Sequence, residues 1–248
     1  MNDALIEPDW PAPSGVRAYA TTRHGGISMP PWDSLNLGDH VGDDPLAVAR
    51  NRLTLSRQLA LPGSPQWLEQ VHGARVNELS GGPVAEPADG SFSDKPGQVC
   101  EVLTADCLPI LLCDRGGRAV AALHGGWRGL AAGVLEQGVA CFVDAGIQPA
   151  ELMAWLGPAI GAAAYEVDEP VRQAFPDDGE AFTENPRGRW QLDLAGLARR
   201  RLAKAGVTAS YGGQLCTFSD GKRFYSHRRD GNCGRQAALI WLEPVAPG

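Results

Sequence analysis

No stretch of the 248-residue sequence approaches the roughly 18 consecutive apolar residues that a membrane span requires. The first ten residues carry two acids before position 8 and no apolar run, so they do not read as a secretory signal. Basic residues are outnumbered, 22 against 29 acids, and the formal charge is −7. A chain of that sign has no global field to gather nucleic acid or an anionic membrane, although a few local arginines can hold a small anion. The six cysteines include no C-x-x-C pair, and the five histidines no His-x-His pair. Without a signal the expected compartment is the reducing cytoplasm, where disulfides are rare. The cysteines are then core residues, metal ligands or nucleophiles. There is also no fixed-period repeat, no heptad seam and no linker-like shift in composition.

What is present is ordinary globular material: 44% apolar and 21% charged residues, with 31 glycines and 19 prolines spread among apolar segments. Length and composition suit one domain spanning 1–248 with a sizeable core and many tight loops. Strands are expected at 15–22, 66–72, 75–79, 99–104, 110–113, 119–123, 153–156, 222–227 and 236–242. A long loop covers 23–44, and loops of that length are often functional. Asp44-Pro45 reads as an N-cap and first helical position. The helix it opens runs to about Leu61, with Leu46, Ala49, Leu53 and Ala60 as its inward face. A second helical pattern places Leu130, Val134, Leu135 and Phe142 on one face. A third helix covers 194–205, with Arg199, Arg200 and Arg201 on its solvated side. Residues 80–98 form a short Gly-, Pro- and Ser-rich stretch without an assigned element. Strands outnumber helices and do not alternate with them, which predicts an α+β fold, a single domain of mixed β-sheets flanked by helices.

Three segments put a soft or borderline ligand at the end of an apolar strand: Glu69-Gln70-Val71-His72-Gly73, Thr104-Ala105-Asp106-Cys107-Leu108 and Leu123-His124-Gly125-Gly126-Trp127-Arg128-Gly129. One thiolate and two imidazoles suit zinc and leave a fourth position open. The spacings of 35 and 17 residues match no compact metal motif. A core cysteine and two hydrogen-bonded histidines are therefore the plain alternative. Two glycines before a helix, followed by Arg128, suit an anion; a Gly-rich turn with a surface arginine reads equally well. Arg23, beside Gly25-Gly26, and the Arg228-Arg229-Asp230 cluster are further anion candidates. Their plain readings are a surface-loop arginine and an internal ion pair ending a strand. Cys113 and Cys141 read as core. His40 could be a ligand, although a loop histidine is usually only a hydrogen-bonding group, and His24 receives no role.

Taken in order, Thr22-Arg23-x-Gly25-Gly26, Ser34-Leu35-Asn36-Leu37-Gly38, Gln70-Val71-His72-Gly73, Thr104-Ala105-Asp106-Cys107, His124-x-Gly126-Trp127-Arg128-Gly129, Leu156-Gly157-Pro158-x-Ile160-Gly161 and Arg228-Arg229-Asp230 resemble one family. It is the family once called polyphenol oxidase or laccase-domain proteins, now described as purine nucleoside phosphorylases, and it includes the bacterial peptidoglycan-editing factor. The likeness runs from about Pro11 to Leu242. It implies a zinc site on His72, Cys107 and His124, with copper also suited to those donors. It implies phosphorolysis of adenosine, inosine, guanosine or 5′-methylthioadenosine, with adenosine deamination as a second activity. Expected partners are purine nucleosides and phosphate, with no nucleic acid and no membrane. On the matching motifs, Arg128 and Asp106 are the catalytic candidates. Arg23, Asn36, Gln70, Arg228 and Arg229 are the candidates for phosphate and substrate. Two positions depart from the family pattern. Gly125 stands where alanine is usual, and His227 where tyrosine is usual.

Three rival readings use the same residues. A copper phenol oxidoreductase lacks imidazoles for a multinuclear cluster. A cysteine hydrolase would use Cys107 as nucleophile and His124 as base, which suits peptidoglycan editing. A nucleoside-binding protein without turnover needs only the cleft. The H-x-E…P-C-x-x-C pattern of nucleobase deaminases is absent, so any deamination would rest on a different constellation.

Overall fold

The computed structural model describes residues 4–82 and 86–244. Among them lie thirteen strands and six α-helices. In chain order these are β1 (Leu5–Ile6), β2 (Val16–Thr21), α1 (Pro45–Gln58), β3 (Val76–Glu78), β4 (Gly90–Ser93), β5 (Val99–Thr104), β6 (Leu108–Asp114), β7 (Val120–Gly125), α2 (Trp127–Ala132) and α3 (Val134–Asp144). They continue with β8 (Leu152–Leu156), β9 (Glu166–Val167), α4 (Glu169–Gln173), β10 (Phe182–Glu184), β11 (Trp190–Leu192), α5 (Leu194–Lys204), β12 (Ala209–Gly212), α6 (His227–Asp230) and β13 (Gln236–Leu242).

The apolar runs become central strands because both of their faces are covered. A four-stranded sheet, β1-β2-β13-β5, lies against a six-stranded sheet, β12-β8-β6-β7-β4-β3. Alternate residues of β6 divide between two cores. Leu111 and Cys113 meet Ala18, Val102 and Ile240 between the sheets. Leu108, Ile110 and Leu112 point the other way, into a core shared with Leu135 and Phe142 of α3 and Leu197 and Leu202 of α5. A third cluster packs Leu35, Leu37 and Leu55 on Leu103, Leu239 and Trp241 at the outer face of the four-stranded sheet. The result is mixed sheets between helical layers, the expected α+β class. A small three-stranded sheet, β10-β11-β9, was not legible in the sequence pattern.

Four local expectations are corrected. Residues 66–72 do not pair as a strand. They run along β5 through side chains instead: the Gln70 amide exchanges hydrogen bonds with Leu103 N and O, and the Leu68 N–H donates to the Glu101 carboxylate at 2.9 Å. Residues 222–227 do not form a strand either. Asp220 receives the N–H groups of Arg223 and Phe224, and Ser226 caps α6. The inward face of α1 is Ala47, Val48, Asn51 and Leu55, while Leu46 and Leu53 are exposed. Asn51 belongs inside because its amide binds Ile27 N, Ser28 Oγ, Ser34 O and Asn36 O of the long loop. Arg199, Arg200 and Arg201 are not on a solvated side: Arg199 and Arg201 donate to Gly212 O and Leu130 O, and Arg200 has Nε and one Nη buried. The second helical pattern is one face carried by two helices. Gly133, at φ +94°, separates α2 from α3. The Gly-, Pro- and Ser-rich stretch holds β4, buried along its length; residues 83–85 of that stretch lie outside the described residues. All six cysteines are free, and no helix among the described residues is long and apolar enough to cross a membrane.

Glu101 is a charge-capable group inside this framework. It is fully buried, one oxygen accepts from Leu68, and the other has no partner. Burial pushes its carboxyl up to about 8 against the Leu68 hydrogen bond and the Arg52 charge. An unfolded glutamate titrates near 4.3, so the folded state holds this proton more tightly. Stability is therefore lost as pH rises from about 4.3 to 8 and levels off above that. Glu101→Gln is expected to leave thermal stability unchanged below pH 4.3 and to raise Tm by several degrees above pH 8, read by calorimetry across that range. An equal effect at both ends would show that the carboxyl is ionised throughout.

Candidate metal centre and active site

The register of β6 and β7 builds the site. Leu108 pairs with Gly125 and Pro109 with His124. Cys107, just before β6, is thereby set beside Gly126, just after β7. The loop carrying His72 arrives from the neighbouring strand side. Ligand atoms of His72, Cys107 and His124 all lie within 4.8 Å of one another. His72 Nε2 is 3.9 Å from Cys107 Sγ, and the two imidazoles meet edge-on with centroids 4.8 Å apart. His72 is exposed, Cys107 half-buried and His124 buried, so the cluster opens to solvent on one side. Two of the three non-glycine residues with left-handed φ among the described residues are here, His72 at 61° and Asp106 at 99°. Such backbone is tolerated where surrounding contacts fix it.

Those contacts come chiefly from Asp89, which is buried at the entry to β4. Its Oδ1 accepts from His72 N (2.9 Å) and faces His124 Nδ1 (2.8 Å), while Oδ2 accepts from Gly73 N (2.6 Å) and Val71 N (3.2 Å). One carboxylate thus shapes the His72 loop and aims the His124 ring. With Nδ1–H donated to Asp89, the Nε2 of His124 is left as a ligand, the carboxylate–histidine arrangement of metal sites. Burial would raise the Asp89 carboxyl, but His124 and the backbone donors of Gly73 and His72 hold it below its usual range. Burial also opposes the Cys107 thiolate, yet the charge and hydrogen bonds of His124 and His72 bring the thiol down. His124 is raised, against its own burial, by Cys107 and Asp89. A thiolate beside two imidazoles, with one imidazole already oriented, is the donor set of a three-ligand zinc or copper site.

Glycine at 126 is required by this geometry. A Cβ there would stand 2.9 Å from His72 Cδ2 and 3.1 Å from Cys107 Sγ, at a φ of −69° that any residue adopts. At Gly125 a Cβ would come within 2.8 Å of Leu108 O and 2.6 Å of Ile110 Cδ1.

The anion candidates divide into two groups. Arg23 is held by Asp33 O, the Asp33 carboxylate (3.2 Å) and Gly221 O, over the Tyr225 ring. It borders a cavity of about 650 Å³ with Lys222 and Arg223. Arg229 is clamped by Thr217 O, Phe218 O, Phe224 O and Asp230. Asn36 is buried, with its amide bound to Gly38, Asp43 and Arg235. Gln70 is bound to Leu103, as above. In contrast, Arg128 stacks on Trp127 and has no hydrogen-bond or ion-pair partner among the described residues. Arg228 uses one amino group on Glu166 O and lies 5.3 Å over the Tyr165 ring. Asp106 braces this side. Its carboxylate accepts from Thr217 Oγ1 (2.6 Å) and Arg228 N (2.7 Å), and its carbonyl from Ile160 N (2.9 Å). His227 bonds Gly231 O within its own turn.

Two site residues were not legible beforehand. Asp89 had no strand pattern around it. Tyr165 follows a short 3-10 turn and feels Cys107, Arg228, Asp106 and Arg128 at once. Burial and the Cys107 charge push its phenol up, so it stays protonated.

A family model described as multi-copper polyphenol oxidoreductase laccase matches residues 17–243. The chain is 53% identical over 247 residues to a Pseudomonas aeruginosa protein named purine nucleoside phosphorylase PA4543, covering 97% of this chain and 99% of that one. It is 51% identical to the Escherichia coli purine nucleoside phosphorylase YfiH, covering 96% and 98%. Among solved structures, Neisseria meningitidis protein NMB0706 superposes with TM-score 0.90 at 46% identity over 97% of this chain and all of that one. YlmD from Geobacillus stearothermophilus superposes at 0.92 and 33% identity over 98% of each.

Gly126→Ala is expected to fold with the wild-type Tm in chelator and to bind zinc at least ten-fold more weakly, read by titration with a metal indicator. Asp89→Asn is expected to weaken zinc by about 10–100-fold, with His124 no longer aimed. Wild-type zinc affinity in both variants would show that neither Gly126 nor Asp89 shapes the candidate metal site.

Proposed function

The chain belongs to the family described as multi-copper polyphenol oxidoreductase laccase, and from that membership we propose that it is a zinc-dependent purine nucleoside phosphorylase. The reading is supported by the names of the curated relatives. The observation that carries it is the convergence of His72, Cys107 and His124 beside two guanidiniums with unused donors, Arg128 and Arg228. Zinc, where bound by those three residues, supplies Lewis-acid chemistry. Copper suits the same donors. A multinuclear copper centre would need a second ligand cluster, and none occurs among the described residues.

Phosphorolysis breaks the C1′–N9 bond of a purine nucleoside and joins a phosphate oxygen to C1′. The protein must hold phosphate facing C1′ and stabilise charge on the sugar and base. Arg128 and Arg228 are the phosphate-holding pair, because planar guanidiniums match phosphate bidentately. Arg229, with every guanidinium donor on an internal partner, braces the surrounding loops, while Arg23, held by Asp33 and Gly221, keeps free donors beside the cavity it shares with Lys222 and Arg223 and is a further phosphate candidate. Tyr165, kept protonated, is a neutral hydrogen-bond donor beside the two guanidiniums. Asp106 is a positioning residue that holds the backbone of Arg228. Adenosine deamination and cell-wall precursor editing belong to the same family reading. The expected compartment is the cytoplasm.

A second reading has a specific observation behind it. Asp89, His124 and Cys107 stand in the acid–base–nucleophile order of a cysteine hydrolase. In that reading His72, 3.9 Å from the same sulfur, has no task. Stoichiometric alkylation of Cys107 by iodoacetamide in zinc-loaded protein would favour the hydrolase.

The main test is product analysis. Adenosine is incubated with zinc-replete wild type and Cys107→Ala, each with and without phosphate. Phosphate-dependent adenine and ribose-1-phosphate, lost in the variant, are expected; phosphate-independent inosine alone would make the protein a deaminase. Arg128→Ala is expected to raise the KM for phosphate by about 10–100-fold, the worth of a charged hydrogen bond, with the zinc content unchanged. An unchanged KM would take Arg128 out of the phosphate site.

A further inference from the structure

The chain carries a formal charge of −7, yet it gathers positive charge at one place outside the metal cluster. Arg23, Lys222 and Arg223 line the cavity of about 650 Å³, where Asp33 is the one carboxylate among the described lining residues. Lys222 is exposed and has no hydrogen bond or ion pair among the described residues. Arg223 gives Nε to the Asp220 carboxylate at 2.6 Å and keeps both terminal amino groups. Arg23 gives Nε to Asp33 O and one Nη1 hydrogen to Gly221 O, and its Nη2 lies 3.2 Å from the Asp33 carboxylate. A hydrogen on each terminal nitrogen of Arg23 is therefore left over. Asp220 stands behind Arg223, outside the lining, so the cations meet in the cavity with one acid to balance them. An anion supplies the missing charge.

Much of this wall is held in place before any ligand arrives. Arg23 lies over the ring of Tyr225, which is fully buried and donates to Trp32 O at 2.7 Å. The turn carrying Lys222 and Arg223 is fixed by Asp220, which accepts the Arg223 N–H, and by Arg229, which donates to Phe224 O. Little ordering remains to be done on binding.

The ligand class follows from the lining. Three cations, two of them planar forks, match a phosphate dianion. The cavity has the size of a small-molecule site, more than a bare phosphate fills. The second oxygen of Asp33 and the imidazole of His24 have no hydrogen bond among the described residues and suit hydroxyl groups. No phenyl, phenol or indole ring is among the described lining residues, so a purine would find no such surface to stack on. We propose that this cavity is a second anion site that binds a sugar phosphate. None of its lining residues belongs to the metal cluster or to the Arg128–Arg228 pair. Tyr225, packed on Ala105, stands between Arg23 and the loop that carries Cys107. The binding does not rest on the phosphorolysis reading, under which the ligand belongs to the chemical class of the product.

The test is isothermal titration calorimetry of the zinc-loaded full chain with ribose 5-phosphate, inorganic phosphate and ribose. Ribose 5-phosphate is expected to bind about ten-fold more tightly than inorganic phosphate, the worth of one or two hydrogen bonds from the sugar. Ribose is expected not to bind. Lys222→Ala and Arg223→Ala are each expected to weaken ribose 5-phosphate by about ten-fold, the low end for a charged hydrogen bond, with unchanged Tm. Arg128→Ala is expected to leave this binding intact. Loss of binding in Arg128→Ala with retention in both cavity variants overturns the proposal, since the ligand would then sit in the metal cleft. Equal affinity for inorganic phosphate overturns the sugar assignment, and the absence of saturable binding overturns the site altogether. The readout uses no turnover, so a failure here and a failure of phosphorolysis are separate results.

Discussion

The buried carboxylate of Asp89 is the constraint on which the site depends. It gathers the N–H groups of Val71, His72 and Gly73 and the ring of His124 onto two oxygens. A charge in that position is costly unless every lone pair is used, and here the donors are supplied by the elements that must converge. The same hydrogen bonds that compensate its burial hold His72 at a left-handed φ and fix which nitrogen of His124 faces Cys107. Without the acid, two candidate ligands would lose their aim and three backbone donors their partner, each at a cost of about 1–3 kcal/mol. The glycine at 126 complements this from the other side by leaving room for the three ligand side chains to meet.

The sheets explain why such an arrangement is available. Cys107 and His124 leave adjacent strands of one antiparallel pair at the same end, so their separation is set by strand spacing and not by loop choice. Both faces of those strands are packed, towards the second sheet and towards α3 and α5. The strand ends are therefore rigid, which is what a site needs to keep ligands in place. The loops around it are secured differently, by arginines and asparagines that use backbone carbonyls as anchors. Arg229, Arg23, Asn36 and Asn51 all work in this way. Arg229 alone among them spends every guanidinium donor on internal partners.

Much of this was legible in advance, and the failures have definite causes. Continuous apolar runs such as 110–113 and 119–123 announce strands buried on both faces, and they were found there. The run 222–227 looked similar, but Asp220 and Ser226 offered its backbone local partners, and turn chemistry prevailed. In α1 two apolar stripes were available. Periodicity ranked Leu46, Ala49 and Leu53 above the stripe interrupted by Asn51, because it does not register that a buried amide is welcome where a loop presents its backbone. Asp89 and Tyr165 were passed over because neither sits in a periodic segment or beside another ligand in the chain.

The sequence by itself determined the fold class, the central strands and the identity of the three ligand-type residues, because hydrophobic pattern and residue chemistry are local properties. Tertiary structure alone decided that residues 35 and 17 positions apart meet within 4.8 Å. It alone decided which of six candidate polar residues have donors to spare, and which side of α1 faces the core. Those outcomes follow from strand register and from competition for buried hydrogen bonds, and both are settled only when the layers are packed together.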